Sequence, residues 1–400
     1  MSLFLEVVSV SEAVEAVRRI APPPGYEEVP LEDALHRVLA RDVAADIDIP
    51  GFDRSTVDGY AVAAAETTGA SEAIPAMLQC QGRVGMGSVD AGAISPGSCR
   101  YVPTGGALPG GTDAAVMIEH AEQIGDEILV HRPVAPGENV VFRGEDFKAG
   151  EMALARGRVL SPRDIGVAAA VGADRVSVVK RPRIGIISTG NELVAVAETP
   201  GPGEVRDANS YLAGAFVTER GCHPVYFGIV RDDRTVLRGA VASALDQCDA
   251  VLVSGGSSKD ERDNTAAVIA ELGEVLVHGI ALAPGKPTII GTARGKPVIG
   301  LPGHPASAYV VLVAIVDHLL AAMLDTAVSR RTVRARLKQN VPSARGREDY
   351  VRVSLRNGEA TPVFGKSGLL NTLVQSEGLV RVPASSEGLE VGEKVEVILW

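Results

Sequence analysis

Basic surplus, aromatic rings, paired cysteines and long apolar runs are all scarce in this chain of 400 residues. Lys and Arg number 39 against 50 Asp and Glu, a formal net charge of −11. A general nucleic-acid binder is therefore not expected, because neutralising phosphates takes a basic surface. Only 7 Phe, 7 Tyr and 1 Trp are present, so Val, Ala, Leu and Ile must build the cores. Four cysteines, Cys80, Cys99, Cys222 and Cys248, show neither C-x-x-C spacing nor a histidine at metal-ligand spacing. That argues against a zinc site and a disulfide framework and reads as reduced, packed thiols in cytosol. The first twenty residues carry Glu6, Glu12 and Glu15 and lack a basic start before an apolar run, so a signal peptide is not expected. The longest apolar stretch, 309–324, is interrupted by Asp317 and His318, and no membrane span is expected. Neither a Walker A sequence nor G-x-G-x-x-G occurs.

Glycine, by contrast, is plentiful, 44 of 400 residues, and a hydrophobic share of 46% rules out a mostly disordered chain. Residues 11–20 and 30–39 show helical apolar spacing, with Ser11 as the expected N-cap of the first. From about 42 to 150 the texture turns to short β-rich pieces between Gly, Pro and Asp, which predicts a small inserted all-β module. Residues 161–172 return to helix with Pro162 in the first turn. From Arg183 the apolar runs RIGIIS, HPVYFGIV, DAVLVSGG, PTIIGT and KPVIGLPG alternate with helical stretches, predicting a largely parallel sheet with helices on both faces. Beyond Asp325, short strands and Gly turns predict a separate β-barrel or sandwich. That tail is basic, 12 Lys and Arg against 8 Asp and Glu, a net +4 that leaves −15 for the first 325 residues.

In an open parallel sheet, ligands bind beyond the carboxyl ends of the strands. Three Gly/Ser/Asp-rich loops follow strands here: 189–192 (TGNE), 255–263 (GGSSKDERD) and 302–307 (PGHPAS), the last opening a helix. Successive N–H groups in such loops, and a helix start, favour an oxyanion, with Lys286 as a charge partner. The same loops present Glu192, Asp232, Asp263 and Asp207. Carboxylates and an oxyanion coexist when a divalent cation lies between them, so the pattern points to a nucleotide-like Mg²⁺ site. Each loop alone reads equally well as a turn, Asp232-Asp233 as a helix N-cap, and His304 as a first-turn filler or a ligand contact; convergence of three loops favours a pocket. In the β module, 53–60, 103–109 and 143–146 are rich in polar and turn residues, with Asp58 and Asp146 close in sequence to Arg54 and Arg143.

The strings IPGFDRSTVDGYAV, VPTGGALPGGTDAAVMIE, RGEDFKAGE, ISTGNELV, SGGSSKDERD, APGKPTIIG and GLPGHPAS, in this order, resemble the molybdopterin molybdenumtransferase family of MoeA type, the module also found as the gephyrin E domain. GREDYVRV and GKSGLLNTLVQSEGLVRVP resemble that family's C-terminal barrel. The resemblance implies a multidomain α/β plus all-β protein: a discontinuous helical linking domain (1–43 and 148–179), an inserted β module (44–147), a parallel α/β molybdopterin-binding domain (180–325) and a C-terminal β-barrel (326–400). It implies a cytoplasmic homodimer with an inter-subunit active site, served upstream by a molybdopterin adenylyltransferase. The implied reaction is Mg²⁺-dependent insertion of molybdate into adenylated molybdopterin with release of AMP. By motif, Glu192, Asp232 and Asp263 would be metal or catalytic acids; Ser254, Gly255, Gly256 and Ser258 would cradle phosphate; Lys286, Pro302 and Gly303 would complete the anion site. Asp58, Thr104 and Asp146 would come from the partner's β module, Asp58 as a catalytic acid. The chain departs from the family pattern at Ser257-Ser258-Lys259, at Ala283 where Lys is usual, at His304 where Asn is usual, and at Asn191 in place of a frequent Asp; Lys259 is placed to offset the lost cation. Two alternatives remain open: an adenylyltransferase-like activity, and a non-catalytic molybdopterin-binding protein.

Overall fold

The computed structural model describes residues 7–88, 92–255 and 259–400, with the backbone alone for 259–263. Two compact units partition the chain: 28–35 with 41–177, and 1–27 with 36–40 and 178–400.

In the first unit a six-stranded sheet runs in the order Ala114–Met117, Gly59–Val62, Ser98–Val102, Ala76–Arg83, Glu127–Val130, Ala121–Ile124. Its core is Tyr60, Val62, Leu78, Cys99, Val116, Ile128 and Val130. Gly59 is needed where strands crowd, since a Cβ there would lie 1.9 Å from the Val116 carbonyl oxygen. Helix α2 (Pro162–Ala170) starts as its Ser161-Pro162 sequence predicts, the Asp164 carboxylate accepting from the Ser161 N–H (2.8 Å) and hydroxyl (2.6 Å).

The second unit holds the α/β sheet. Its strands are β1 (Arg183–Thr189), β2 (His223–Val230), β3 (Ala250–Ser254), β4 (Gly273–His278), β5 (Ile289–Ala293) and β6 (Lys296–Leu301), in the order β2-β1-β3-β6-β5-β4. The four strands β2, β1, β3 and β6 are parallel, while β5 and β4 are antiparallel to their neighbours. The largely parallel sheet expected from the sequence is borne out in these four strands, and two features go beyond that expectation. Arg294 (φ 49°) and Gly295 (φ 74°) make a two-residue turn that folds β6 back on β5 as a hairpin. β4, which is not among the apolar runs singled out, follows a helix directly, at Leu272 and Gly273.

Helices cover both faces, as the alternating pattern predicts. Ile184, Ile186 and Leu252 pack toward α3 (Asn209–Glu219) and α6 (Pro305–Met323), and Ile187, Val251 and Val253 toward α4 (Arg234–Gln247) and α5 (Lys259–Leu272). α6 carries a π turn at Leu312–Val316. Among the described residues it is the helix long and apolar enough to cross a membrane, and 78% of its apolar window is buried inside this fold.

The N-terminal helix α1 (Val10–Ile20) buries Val10, Ala13, Ala16 and Val17 against α6. Its cap is Ser9 rather than the expected Ser11. The Ser9 hydroxyl accepts from Glu12 N–H while the Glu12 carboxylate accepts from Ser9 N–H, a reciprocal pair that Ser11 cannot make. Residues 30–39, expected to be helical, give one 3₁₀ turn, Leu31–Asp33, because His36 adopts φ 62°.

The tail forms a closed ring of five strands, β7 (Thr332–Leu337), β8 (Glu348–Arg356), β9 (Glu359–Pro362), β10 (Gly378–Val382) and β11 (Lys394–Leu399), with β8 pairing both β9 and β10. Leu282–Ala283 of the α/β portion add a short parallel pairing to β8.

His318 on α6 tests this packing by titration. Its Nδ1 accepts from Arg18 Nη2 at 3.1 Å, and burial, then Arg18 and Arg330 against the opposing pull of Asp317, push its pKa down to about 4 from 6.5. The folded chain thus disfavours the proton that the unfolded chain takes up below 6.5. Stability is present above that value and is lost as pH falls toward 4. His318→Gln keeps an acceptor for Arg18 and cannot protonate, so its urea midpoint, read from Trp400, is expected to fall less between pH 7 and 4.5 than the wild-type midpoint.

Candidate functional site

Two cavities open on the rim where β1, β3 and β6 end. One, about 390 Å³, is lined by Thr189, Glu192, Asn209, Ser254, Gly255 and His304 among others. The second, about 320 Å³, is lined by Gly255, Ala283, Lys286, Gly303, His304 and Ser367 among others. They share Gly255, Gly303 and His304, so a half-buried carboxylate and an exposed ammonium stand on one continuous surface.

Glu192 folds back over its own loop, where a Cβ on Gly190 would lie 2.7 Å from both carboxylate oxygens. Asn191 accepts the Asp232 N–H at 3.2 Å, and Asn264, in the first part of α5, donates to Asp232 Oδ1 at 3.0 Å. The loops after β1 and β2 and the start of α5 are thereby tied together. Asp233, next to Asp232, is the N-cap of α4, its Oδ1 accepting from Val236 N–H at 2.9 Å. Ser254, buried at the end of β3, has its Oγ 2.8 Å from Asn209 Nδ2, which also donates to the Gly303 carbonyl at 2.8 Å. Asn209 Oδ1 and Thr189 Oγ1 are buried without hydrogen-bond partners among the described residues. Lys286 lies in the turn before β5, not within it. Pro302 and Gly303 lead into α6, with His304 at its cap and Pro305 at its first position. Gly256 and Ser258 lie outside the described residues, as do the side chains of Asp263 and Lys259.

Two contributors escaped the sequence reading, Asn209 and Ser367 of the barrel, and Arg352 braces the loop that carries Ser367. Ser367 Oγ is 2.8 Å from His304 Nδ1, and its carbonyl accepts from Ala306 N–H at 3.2 Å, so a barrel loop roofs the second cavity. Arg352 Nη2 donates to Gly365 at the base of that loop (2.9 Å). Its Nε and Nη1 are buried without partners among the described residues, and burial pulls the guanidinium below its ordinary range. An arginine turned inward in an apolar alternating strand, VRVSL, was the available signal.

In the β module, Asp58 Oδ1 accepts from Thr104 N–H at 2.9 Å, so these two expected site residues do meet, both exposed. Asp146, also exposed, anchors through its N–H to the Ile49 carbonyl (3.0 Å). Arg143 serves other acids: its Nε donates to Asp48 (2.7 Å) and its N–H to Asp53 (2.8 Å). The Ala149 N–H and then Arg143 hold the Asp48 carboxyl below the usual range.

All four cysteines are free, and burial pushes Cys99 and Cys222 up to about 12, so both are inert packing thiols. Among the described residues no three His, Cys, Asp or Glu side chains form a metal cluster. A hard cation held by one or two carboxylates plus ligand oxygens does not require one, and the oxygen donors of Glu192 and Asp232 fit that mode.

Comparison with known proteins agrees along the whole chain. Residues 8–172 match the MoeA N-terminal region (domain I and II), 185–322 a probable molybdopterin binding domain, and 334–400 the MoeA C-terminal region (domain IV). A putative molybdopterin biosynthesis protein of Methanocaldococcus jannaschii is 35% identical over 93% of this chain and 92% of its own. The molybdopterin molybdenumtransferase of Bacillus subtilis is 32% identical over 98% and 94%. Crystal structures of a molybdopterin biosynthesis MoeA protein from Pyrococcus horikoshii superpose with TM-scores of 0.86 (39% identity, 98% of this chain and 99% of that one) and 0.89 (33%, 99% and 100%). With family regions covering most of its length and full-length relatives above 30% identity, the chain belongs to the MoeA family.

Proposed function

We propose that this protein is a molybdopterin molybdenumtransferase of molybdenum cofactor biosynthesis, which inserts molybdate into adenylated molybdopterin and releases AMP. The observation that carries this reading is the continuous cavity pair, with Glu192 on one part and Lys286 on the other. A substrate that is itself a polyanion, and a tetrahedral oxyanion co-substrate, need a cationic and N–H-lined end. An acid end is useful only with a divalent cation.

Glu192 and Asp232 would hold Mg²⁺, with Asp263 as the third acid. When bound, the metal supplies Lewis-acid polarisation of the anhydride. The chain's own residues do the rest. Asn264 and Asn191 fix Asp232 and its loop. Asn209 holds Ser254 and the Gly303 carbonyl, setting the backbone of two loops toward the phosphates. Lys286 supplies positive charge and His304 a ring nitrogen at the oxyanion end, His304 being oriented by Ser367. A homodimer in which the partner subunit's Asp58, Thr104 and Asp146 face this cleft is part of the reading, supported by the resemblance and by the Asp58–Thr104 contact. Four free cysteines suit a cytoplasmic protein.

Purified protein given adenylated molybdopterin, molybdate and Mg²⁺ is expected to release AMP, and omission of Mg²⁺ to stop it. Consumption of ATP with bare molybdopterin would instead identify an adenylyltransferase, and binding without AMP release a non-catalytic binder.

A further inference from the structure

A chain so poor in rings nonetheless leaves two tyrosines exposed side by side: Tyr211 on α3 (59% exposed) and Tyr226 on β2 (51%), ring centroids 6.0 Å apart at 34°. Tyr226 is seated in a notch. A Cβ on Gly214 of α3 would lie 1.9 Å from its hydroxyl, so glycine there lets the ring lie on the helix. The two rings wall a cavity of about 610 Å³, together with Leu193, Val196, Ile229 and Asp207, within the usual size of small-molecule sites. Leu193 and Asp207 also line the cavity of Glu192, Asn209 and Ser254, so the aromatic groove continues the candidate site along the edge of the sheet. Asp207 is only 5% exposed, and its Oδ1 accepts from Ser210 N–H at 3.1 Å.

We propose that this groove receives the pterin ring of the substrate, stacked on the tyrosine faces with its polar edge toward Asp207. This rests on the substrate class proposed above. An ionised carboxylate only accepts hydrogen bonds. The pyrimidinone edge of a pterin offers an exocyclic amine and an adjacent ring N–H, two donors side by side. The adenine edge sets its amine between bare ring nitrogens, whose lone pairs oppose a carboxylate. The groove therefore separates the pterin end from the adenylate end, leaving the phosphates over the Gly255 and Gly303 loops. Tyrosine suits the role because its ring offers a broad, rigid face for stacking.

The test titrates the full chain with neutral 6-hydroxymethylpterin, followed by its own fluorescence, and with AMP and inorganic phosphate by calorimetry. Tyr211→Ala and Tyr226→Ala are each expected to weaken the pterin about tenfold or more, as for a base losing an aromatic platform. Tyr211→Phe and Tyr226→Phe should retain it, and AMP and phosphate should be unchanged throughout. The assignment is overturned if the alanine variants bind pterin like the parent, or if AMP loses affinity instead. It is equally overturned if light scattering shows that the variants change oligomeric state while pterin affinity stays, which would make the patch a subunit contact. Release of AMP by the parent separates the two readings: its absence defeats the proposed function, whereas normal release with unaltered pterin binding in the variants defeats the groove alone.

Discussion

Glu192→Gln is expected to lower AMP release from adenylated molybdopterin by at least about a hundredfold, with the unfolding midpoint nearly unchanged. The substitution keeps the shape of a side chain that folds over Gly190 and removes its charge. Stability has little at stake, since Glu192 forms no ion pair among the described residues and sits on a loop at the cavity mouth. Catalysis has much at stake, because a hard cation among phosphate oxygens depends on its few carboxylate ligands, and Lewis-acid stabilisation is worth several kcal/mol. At about 1.4 kcal/mol per decade, losing a little under 3 kcal/mol gives the stated factor. AMP release measured at saturating Mg²⁺ decides it, and a decrease of less than about threefold would remove Glu192 from the metal site. Mixing protomers adds a second reading. If the partner subunit's Asp58 completes each cleft, a mixture of Glu192→Gln and Asp58→Ala chains, each nearly inactive alone, regains turnover when hybrid dimers form. Failure to complement would place both residues in one protomer's site.

How much of this was legible in the residues depends on what each signal encodes. Buried strands β1, β3 and β6 announce themselves as apolar runs, and the Gly/Ser loops after them had to share a rim, so Glu192, Ser254, Gly255 and Gly303 could be gathered before any coordinates. Strand direction is not carried by an apolar run. Whether β5 and β6 run together or form a hairpin is decided by two residues, Arg294 and Gly295, whose positive φ angles are a property of the turn. The N-cap slipped from Ser11 to Ser9 because two serines flank the helix start and only the reach of Glu12 chooses between them. Asn209, Ser367 and Arg352 were not found for a different reason. Asn209 and Ser367 belong to the site through the tertiary return of a distant segment, Ser367 on a barrel loop that Arg352 braces at Gly365, and local spacing holds no record of that return. The motif resemblance covers part of this gap, since GKSGLL belongs to the barrel string, but a string does not say that Ser367 meets His304.

Asp317→Ala is expected to cost the second unit about 3–5 kcal/mol, the largest effect foreseen for a residue outside the cleft. The Asp317 side chain is 4% exposed on α6. Its Oδ2 accepts from Arg330 Nε (3.0 Å) and Nη2 (2.8 Å). Arg220 Nε lies 2.8 Å from Oδ1, a charge contact without hydrogen-bond alignment. Arg330 also donates to the Val313 carbonyl within the π turn, and Arg220 stacks over Phe216 of α3 at 4.9 Å. One carboxylate thus joins α6, the C-terminal end of α3 and the segment leading into the barrel. Exposed pairs are worth about 0–1 kcal/mol, and this one differs because removing the acid strands the Arg330 side chain, 13% exposed, with no counter-charge at Asp317. The penalty is mainly that of an uncompensated charge rather than of a lost attraction, which yields a second measurable outcome. Arg330→Met in the Asp317→Ala background should recover part of the loss, since an apolar side chain of similar length removes the stranded charge. The single Trp400, packed edge-on to Tyr309 at 5.0 Å, reports unfolding of this unit. A midpoint lowered by roughly 10 °C in Asp317→Ala follows from about 2–4 °C per kcal/mol for a unit of this size. A double variant no more stable than the single one would show that the attraction itself, and not the orphaned guanidinium, carried the stability.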